Sequence, residues 1–403
     1  MRFAFFSDIH YGESENYGKI NPETGLNTRL EDLHQVFNKF VDYVLDPTKG
    51  IDVVVIGGDL YKSRKPTPTQ QRLFSLILVR FLEHNKVSEK KITVIIFTGN
   101  HDIQRSEKAH STSSIAELTK FYANDILITD EPHTRIFQKD DEKVLLCTIP
   151  YLYRQKLGMS SNNQVVELYQ NLIKEALNSH PDATCKIFAG HQTVEGSSIT
   201  EYQDLNSFNE IIIPIDAFVG FDFVSQGHIH TFQVIQKSNP CIVFQGNPTQ
   251  LEFDQVSDKG FVVYDTKLKK YKRVLIEAVR FIRFDIDTSE REEDATTEII
   301  KELKARSEEI KDSIVKIRAT VKSQDLPIRN LEFKDLLKEA RFVAPLEKTV
   351  KKKGRARSEK VVRENSVETI LSEVAKVRNY TPEQLQEYVS LGLSIISSTA
   401  EVK

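Results

Sequence analysis

FVSQGHIH, residues 223–230, decides how this sequence folds. A short run of β-favouring residues meets a glycine and then two histidines with one residue between them. In extended chain, side chains two apart point to the same side, so His228 and His230 can reach one small object together. The same arrangement returns along the chain. Arg2 to Phe6 leads into Ser7-Asp8-Ile9-His10, and Asp52 to Ile56 into Gly57-Gly58-Asp59. Ile92 to Phe97 leads into Thr98-Gly99-Asn100-His101-Asp102, and Lys186 to Ala189 into Gly190-His191.

Each run reads as a buried strand that ends in a small residue and then a group able to bind metal. Glycine lets the chain turn sharply and brings backbone close to whatever is bound. In α/β sheets ligands collect at the carboxyl ends of the strands, so these ends are expected to converge on one site. Helix-like segments such as Leu30 to Leu45 and Gln70 to Glu83 support an alternating β and α layout. Of the ten histidines, His10, His101, His191, His228 and His230 fall at strand ends. His34, His84, His110, His133 and His180 lie in helix-like or loop-like surroundings and read as solvated or core-satisfied side chains.

The donors are Asp8, His10, Asp59, Asn100, His191, His228 and His230. This mixture of oxygen and imidazole, without thiolate, suits manganese, iron or zinc and is too nitrogen-rich for a dedicated calcium or magnesium cage. It exceeds the four protein ligands usual for a structural zinc ion, so two metals sharing one carboxylate are expected. Such a pair binds a phosphate oxygen, activates water, and stabilises charge on the entering and leaving oxygens. His101, beside a ligand, is placed to contact the phosphoryl oxygen or to protonate the leaving alkoxide. Asp102 has two readings, orienting His101 or capping a helix.

Composition sets the limits. With 403 residues the chain is long enough for two or three domains. Its 39% hydrophobic and 28% charged residues are those of a globular protein. The net charge of -3 means that any nucleic-acid contact comes from a local basic surface. Three scattered cysteines, Cys147, Cys185 and Cys241, point to a reducing compartment. No apolar run approaches the ~20 residues of a membrane helix, and the start is too short for a secretory signal.

The series Asp8-x-His10, Gly58-Asp59, Gly99-Asn100-His101-Asp102, Gly190-His191 and Gly227-His228-x-His230 resembles the calcineurin-like metallophosphoesterases. Its order and context are most similar to their DNA-repair branch, the SbcD and Mre-eleven nucleases. Asp59-Leu60-Tyr61, Lys65-Pro66-Thr67-Pro68, Gln245-Gly246-Asn247-Pro248, Phe253-Asp254 and Lys259-Gly260-Phe261 add to that resemblance. It implies an α/β fold: a two-sheet sandwich flanked by helices, with a small α/β cap domain and a C-terminal helical pair. It also implies that Asp8, His10, Asp59 and His230 hold one Mn2+, and that Asp59, Asn100, His191 and His228 hold the other, with Mg2+ or another divalent ion as a substitute. His101 and Asp59 would be catalytic. Lys62 stands where cellular Mre-eleven members usually carry a histidine; lysine attracts phosphate as a point charge but cannot transfer protons as an imidazole does at neutral pH.

Beyond Tyr264 the pattern changes. Ala278 to Ile286 is strand-like, and Glu292 to Glu309 reads as a charged amphipathic helix with Ile299, Ile300 and Leu303 inward. Ser313 to Val321 alternates as a strand, and Asn330 to Ala340 reads as helical. Lys348 to Arg363 is strongly basic, a solvated linker or a DNA-contacting segment. Ser366 to Val377 and the capping box at Thr381-Pro382-Glu383-Gln384 begin two amphipathic helices, whose Ile370, Leu371, Val374, Leu385, Tyr388 and Val389 form an apolar stripe. The expected domains are 1–275 (nuclease), 276–346 (cap), 347–365 (linker) and 366–403 (partner-binding helices).

The resemblance then implies a manganese-dependent DNA exonuclease and endonuclease that processes double-strand ends and single strands with an SbcC-type coiled-coil ABC ATPase. A homodimer through Leu30 to Val44 and Leu73 to Leu82 is expected, in the cytoplasm, nucleoid-associated or viral in a host cell, with no membrane. Two other readings compete: a two-metal phosphodiesterase for nucleotides or small phosphoesters, and a catalytically weak scaffold protein.

Overall fold

Strands form where β-branched and aromatic residues run without interruption, and they stop where a small residue lets the chain turn. The computed structural model describes residues 1–103, 115, 125–155, 157–198, 210–255, 257–290, 294–323 and 327–351. The chain opens with β1 (Arg2–Phe6), α1 (Thr28–Leu45), β2 (Val53–Gly57), α2 (Pro68–Val87), β3 (Thr93–Phe97) and β4 (Ile126–Thr129). There follow β5 (His133–Lys139), β6 (Glu142–Ile149), α3 (Asn162–Ser179), β7 (Cys185–Gly190), the two-residue strands β8 (Thr193–Val194) and β9 (Ile212–Ile213), β10 (Phe223–Gln226), β11 (Gln233–Lys237) and β12 (Cys241–Phe244). The chain then returns to its first sheet through β13 (Gly260–Asp265) and β14 (Lys270–Leu275).

Two six-stranded sheets result, ordered β14-β13-β1-β2-β3-β4 and β11-β12-β10-β7-β6-β5. β1 to β4 run parallel, as do β6, β7, β10 and β12. Register sets Phe6 beside Ile56 and Ile56 beside Ile96, while Gly190 lies beside Gln226. Parallel strands in register deliver their carboxyl ends to one edge, which is how distant donors come to share a site.

The sheets bury both faces, which explains continuous apolar runs such as Val53 to Ile56. Phe3, Phe5, Val55 and Ile95 meet Leu146, Ile187, Phe223 and Val243 between the sheets. On the outer side of the first sheet Phe6, Val54 and Ile56 pack under Phe37 and Phe40 of α1 and Phe74 and Ile77 of α2. The second sheet covers its outer face with Val165, Tyr169 and Ile173 of α3. α2 begins at Pro68, earlier than apolar spacing alone indicates, because Thr67 and Gln70 form a reciprocal capping box around it.

A third sheet follows, built from β15 (Phe281–Asp287), α4 (Ala295–Ala305), α5 (Ser307–Ile310), β16 (Ile314–Val321), β17 (Phe342–Val343) and β18 (Glu347–Val350). β15 and β16 pair in parallel, and β17 and β18 both join β16. Ile299 and Leu303 are buried against Phe284 and Ile317, and Ile300 is partly buried with them.

Three sequence expectations change here. The helix expected to run to Glu309 breaks at Arg306, whose φ of -117° and ψ of 30° leave the helical region. Its guanidinium lies 4.4 Å from the Phe284 ring centroid and ion-pairs with Glu309. Asn330 to Ala340 is not an α-helix but two 3-10 turns, Asn330–Glu332 and Lys334–Leu337. Only Phe333 and Leu337 are buried there while Leu331 is exposed, too little inward surface to hold a regular helix. The start of the basic segment is also a strand: Glu347 ion-pairs with Lys316 at 2.7 Å and Arg318 at 3.4 Å.

The chain divides into two compact units, Met1–Val321 with Asp325–Thr349, and Lys322–Gln324 with Val350–Lys403. Of the second unit only residues 322–323 and 350–351 are described, so the expected helical pair, with Ile370, Leu371, Val374, Leu385, Tyr388 and Val389, lies outside the described residues. Among the described residues no helix is long and apolar enough to cross a membrane.

Candidate metal centre

At the shared edge, the turn after β1 carries Asp8 and His10, the turn after β2 Asp59, and the turn after β3 Asn100 and His101. The second sheet contributes His191 after β7 and His228 and His230 after β10. These turns are tight. Asp8, His10, Asp59 and His228 have φ of 55°, 47°, 49° and 79°, in the left-handed region. Two glycines make the approach possible: a Cβ on Gly58 would strike the His191 ring, and one on Gly99 the Asp59 carboxylate.

One ligand atom each from Asp8, His10, Asp59 and His230 lies within 4.8 Å of the others. His10 Nε2 and His230 Nε2 are 3.0 Å apart. A second group stands alongside. Asn100 Oδ1 lies 3.2 Å from His191 Nε2 and 3.0 Å from His228 Nδ1, and His191 Nε2 lies 3.3 Å from Asp59 Oδ2. Asp59 thus faces both groups. Oxygen and imidazole atoms turned toward one another at these distances fit the donor set of divalent transition cations, so the residues present suit a pair of metals.

The charges show the cost of gathering such groups. Burial lifts the Asp8 carboxyl to about 7, against the pull of His191 and with help from Asp59. Burial alone would lift Asp59 too, but His191, His10 and His101 hold its carboxylate well below the usual range. Burial lowers His10 to about 4 and outweighs the attraction of Asp59. His191 goes the other way: burial disfavours its charge, yet Asp59 and Asp8 raise it to about 9. In this cluster protons occupy positions that a cation would take.

A surrounding layer fixes the donors. The His228 backbone N–H donates to both oxygens of Asp8 at 3.0 and 3.2 Å, and Ser7 Oγ donates to Asp8 as well. The His101 N–H donates to Asp59 Oδ1 at 2.8 Å. His191 Nδ1 faces the Gly57 carbonyl at 2.7 Å. His101 itself is exposed, and its ring lies 4.9 Å from that of His10. Lys62 donates to the Glu13 carbonyl at 3.2 Å, close enough to His10 for its charge to act on that imidazole. Asp102 accepts from the backbone N–H groups of Gly99, Leu60 and Tyr61, at 2.9, 3.2 and 3.2 Å. Those bonds tie the turn after β3 to the turn after β2; burial, then the nearby Asp59, raises its carboxyl to about 6.

Sequence reading missed three neighbours, Glu210, Tyr151 and Gln255, and gave a fourth, Lys259, no place in the centre. Glu210 Oε1 lies 3.1 Å from His228 Nε2 and accepts from Thr193 Oγ1 at 2.6 Å. Tyr151 sets its ring 5.6 Å from that of His228. Gln255 Nε2 lies 3.2 Å from His230 Nδ1, and Lys259 Nζ reaches the His230 carbonyl at 3.4 Å. Glu210 follows no strand-end pattern. Gln255 directly follows Phe253-Asp254, a pair whose sequence context marks this neighbourhood without singling out the glutamine.

Known proteins of similar sequence include two named for DNA repair and for a nuclease. The DNA double-strand break repair protein Mre11 of Methanococcus maripaludis is 23% identical over 334 residues, 78% of this chain and 77% of that protein. The SbcD component of the nuclease SbcCD of Escherichia coli K12 is 24% identical over 283 residues, 65% of this chain and 64% of that protein. Among solved structures, a dimetal phosphatase from Danio rerio aligns with 65% of this chain and 91% of its own, at 9% identity and a TM-score of 0.37. The profile described as calcineurin-like phosphoesterase matches residues 1–232, more than half of the 403. On that match, and with a mixed α/β sandwich whose strand ends gather a metal-type donor set, the chain belongs to the calcineurin-like phosphoesterase family.

Proposed function

We propose that this protein is a manganese-dependent DNA nuclease, the hydrolytic member of a complex that processes double-strand ends with an SbcC-type coiled-coil ABC ATPase. The observation that carries the reading is the junction of two donor groups at Asp59, in a chain whose relatives are named for double-strand break repair and for a nuclease. Asp8, His10, Asp59 and His230 would hold one cation, and Asp59, Asn100, His191 and His228 the other. When bound, the pair supplies Lewis acidity toward a phosphodiester and activates water at neutral pH.

The chain's own residues do the rest. Asp59 holds the two halves together and, through the His101 N–H, fixes the turn that presents His101. The exposed imidazole of His101 serves the phosphate or gives a proton to the leaving oxygen. Lys62 draws the substrate's charge as a fixed cation rather than as a proton carrier. Residues 276–346 act as a cap on DNA access. The basic stretch after Lys348 tethers a helical pair, which grips the ATPase through Ile370, Leu371, Val374, Leu385, Tyr388 and Val389. Homodimerisation through α1 and α2 and a cytoplasmic site of action belong to the same reading.

The test is hydrolysis by the full chain with Mn2+ on linear duplex DNA and on a nitrophenyl phosphodiester. His101→Ala is expected to lower turnover by about 10²-fold or more while Mn2+ still binds. Leu371→Asp with Leu385→Asp is expected to uncouple cutting from the ATPase. Hydrolysis of the small ester with no cutting or binding of DNA, alone or with the ATPase, would favour a nucleotide or small-phosphoester enzyme instead. No hydrolysis of either would favour a scaffold.

A further inference from the structure

The two halves of the centre hold their imidazoles in opposite ways. Behind His191 and His228 stand acceptors: the Gly57 carbonyl at 2.7 Å from His191 Nδ1, and the Glu210 carboxylate at 3.1 Å from His228 Nε2. An acceptor there holds a proton on the outward nitrogen, so the inward nitrogen, which faces Asn100 Oδ1 in both rings, is the atom a cation would take once any proton on it is displaced.

Behind His230 stands a donor. Its Nδ1 lies 3.2 Å from the amide Nε2 of Gln255. The orientation of that amide is decided by groups that only donate. The Leu251 backbone N–H donates to Gln255 Oε1 at 3.0 Å, and so does Asn247 Nδ2 at 2.8 Å. Asn247 is oriented in turn by the Lys259 ammonium, 2.6 Å from its Oδ1 and without any lone pair to offer. Turning the Gln255 amide over would press its NH2 against two donors. Gln255 must then donate to His230 Nδ1, and the proton of the neutral ring goes to Nε2. That atom faces His10 Nε2 at 3.0 Å, the separation of an ordinary N–H···N bond.

We propose, on the two-cation reading above, that Gln255 is a positioning residue that keeps His230 in its non-ligating tautomer and makes the His10/His230 half the weaker, exchangeable cation site. For a cation to be held there the proton of the neutral ring would have to move from Nε2 to Nδ1, where it meets the Gln255 amide donor. A carboxylate at position 255 would instead accept from Nδ1–H and still receive the Leu251 and Asn247 donors.

The deciding measurement needs no variant of Gln255. Two-bond 1H–15N correlation on the cation-free full chain with 15N-labelled histidine, His230 assigned through His230→Gln, should show the Nε2–H tautomer; Nδ1–H overturns the proposal. Titration of the same protein with Mn2+, followed by electron paramagnetic resonance, should resolve two classes of site at least about tenfold apart. In Gln255→Glu the weaker class should tighten by about tenfold or more, and His230 should move to Nδ1–H. Equal classes in the native chain, or a weak class and a tautomer unmoved in Gln255→Glu, overturn it. The Nε2–H tautomer, two unequal classes and their shift in Gln255→Glu, found in a chain that cuts no DNA alone or with the ATPase, uphold this proposal and overturn the nuclease reading.

Discussion

The strand ends of the sandwich and the third sheet are made from the same kinds of element, but they handle charge in opposite ways. At the strand ends, Asp8, Asp59, His191 and His228 are buried with one another, on turns whose backbone is left-handed at four positions. In the third sheet, β16 alternates: Ile317 and Ala319 face inward, while Lys316 and Arg318 stay half-exposed and pair with Glu347. One region accepts desolvation and strain to bring donors together. The other follows the regular inside and outside rule and gains stability from it.

The contrast breaks most visibly at Asp59. Asp59→Asn keeps an oxygen for the His101 N–H but removes the charge that faces both groups. Phosphodiester hydrolysis should fall by on the order of 10³-fold, and the cation-free protein should also unfold more easily at neutral pH, since the carboxylate that His191, His10 and His101 hold ionised is gone. Turnover near the native rate in steady-state assays would end the idea that chemistry is concentrated here.

The reciprocal change belongs in the third sheet. Leu303→Ala removes a fully buried side chain and should destabilise the protein by about 2–5 kcal/mol in urea unfolding, with Mn2+ uptake per folded molecule unchanged. A lost cation site in the folded variant would show that the two regions are not separable.

Glu210→Ala sharpens the picture within the centre. It removes the acceptor behind His228, and Mn2+ affinity should drop by about 10–100-fold in a calorimetric titration, with little change in the unfolding midpoint of the cation-free protein. An unchanged affinity would reduce Glu210 to a packing role.

The smallest effect is a pH dependence. Asp8 is raised to about 7 and His191 to about 9, so at neutral pH both retain protons that a cation must displace. Loading at pH 7 should release roughly one to two protons, seen as a buffer-dependent heat, and affinity should climb as pH rises from about 6 to about 9. Affinity that falls over that range would mean that these protons do not compete with the cation.

The residues gathered at the strand ends were legible because each follows closely on a β-rich run and a small residue, so a local pattern and one rule about strand ends sufficed to bring them together. Their supports were not. Glu210, Gln255 and Lys259 reach His228 and His230 from segments with no period of their own, and only the folded chain shows which atoms they meet. Asp102 was open between two readings, orienting His101 or capping a helix, and its described bonds join two turns without deciding between them. In the third sheet the strands followed from alternation, whereas Asn330 to Ala340 misled because its apolar spacing looks helical although only Phe333 and Leu337 turn inward.

The left-handed turns limit how this sequence can drift. Aspartate, asparagine and histidine are the side chains that enter that conformation most readily after glycine, and they also coordinate cations. At Asp8, His10, Asp59 and His228, φ between 47° and 79° therefore filters variants before coordination does. A saturation library there should return a shorter alphabet than one at Asn100, where the backbone is ordinary.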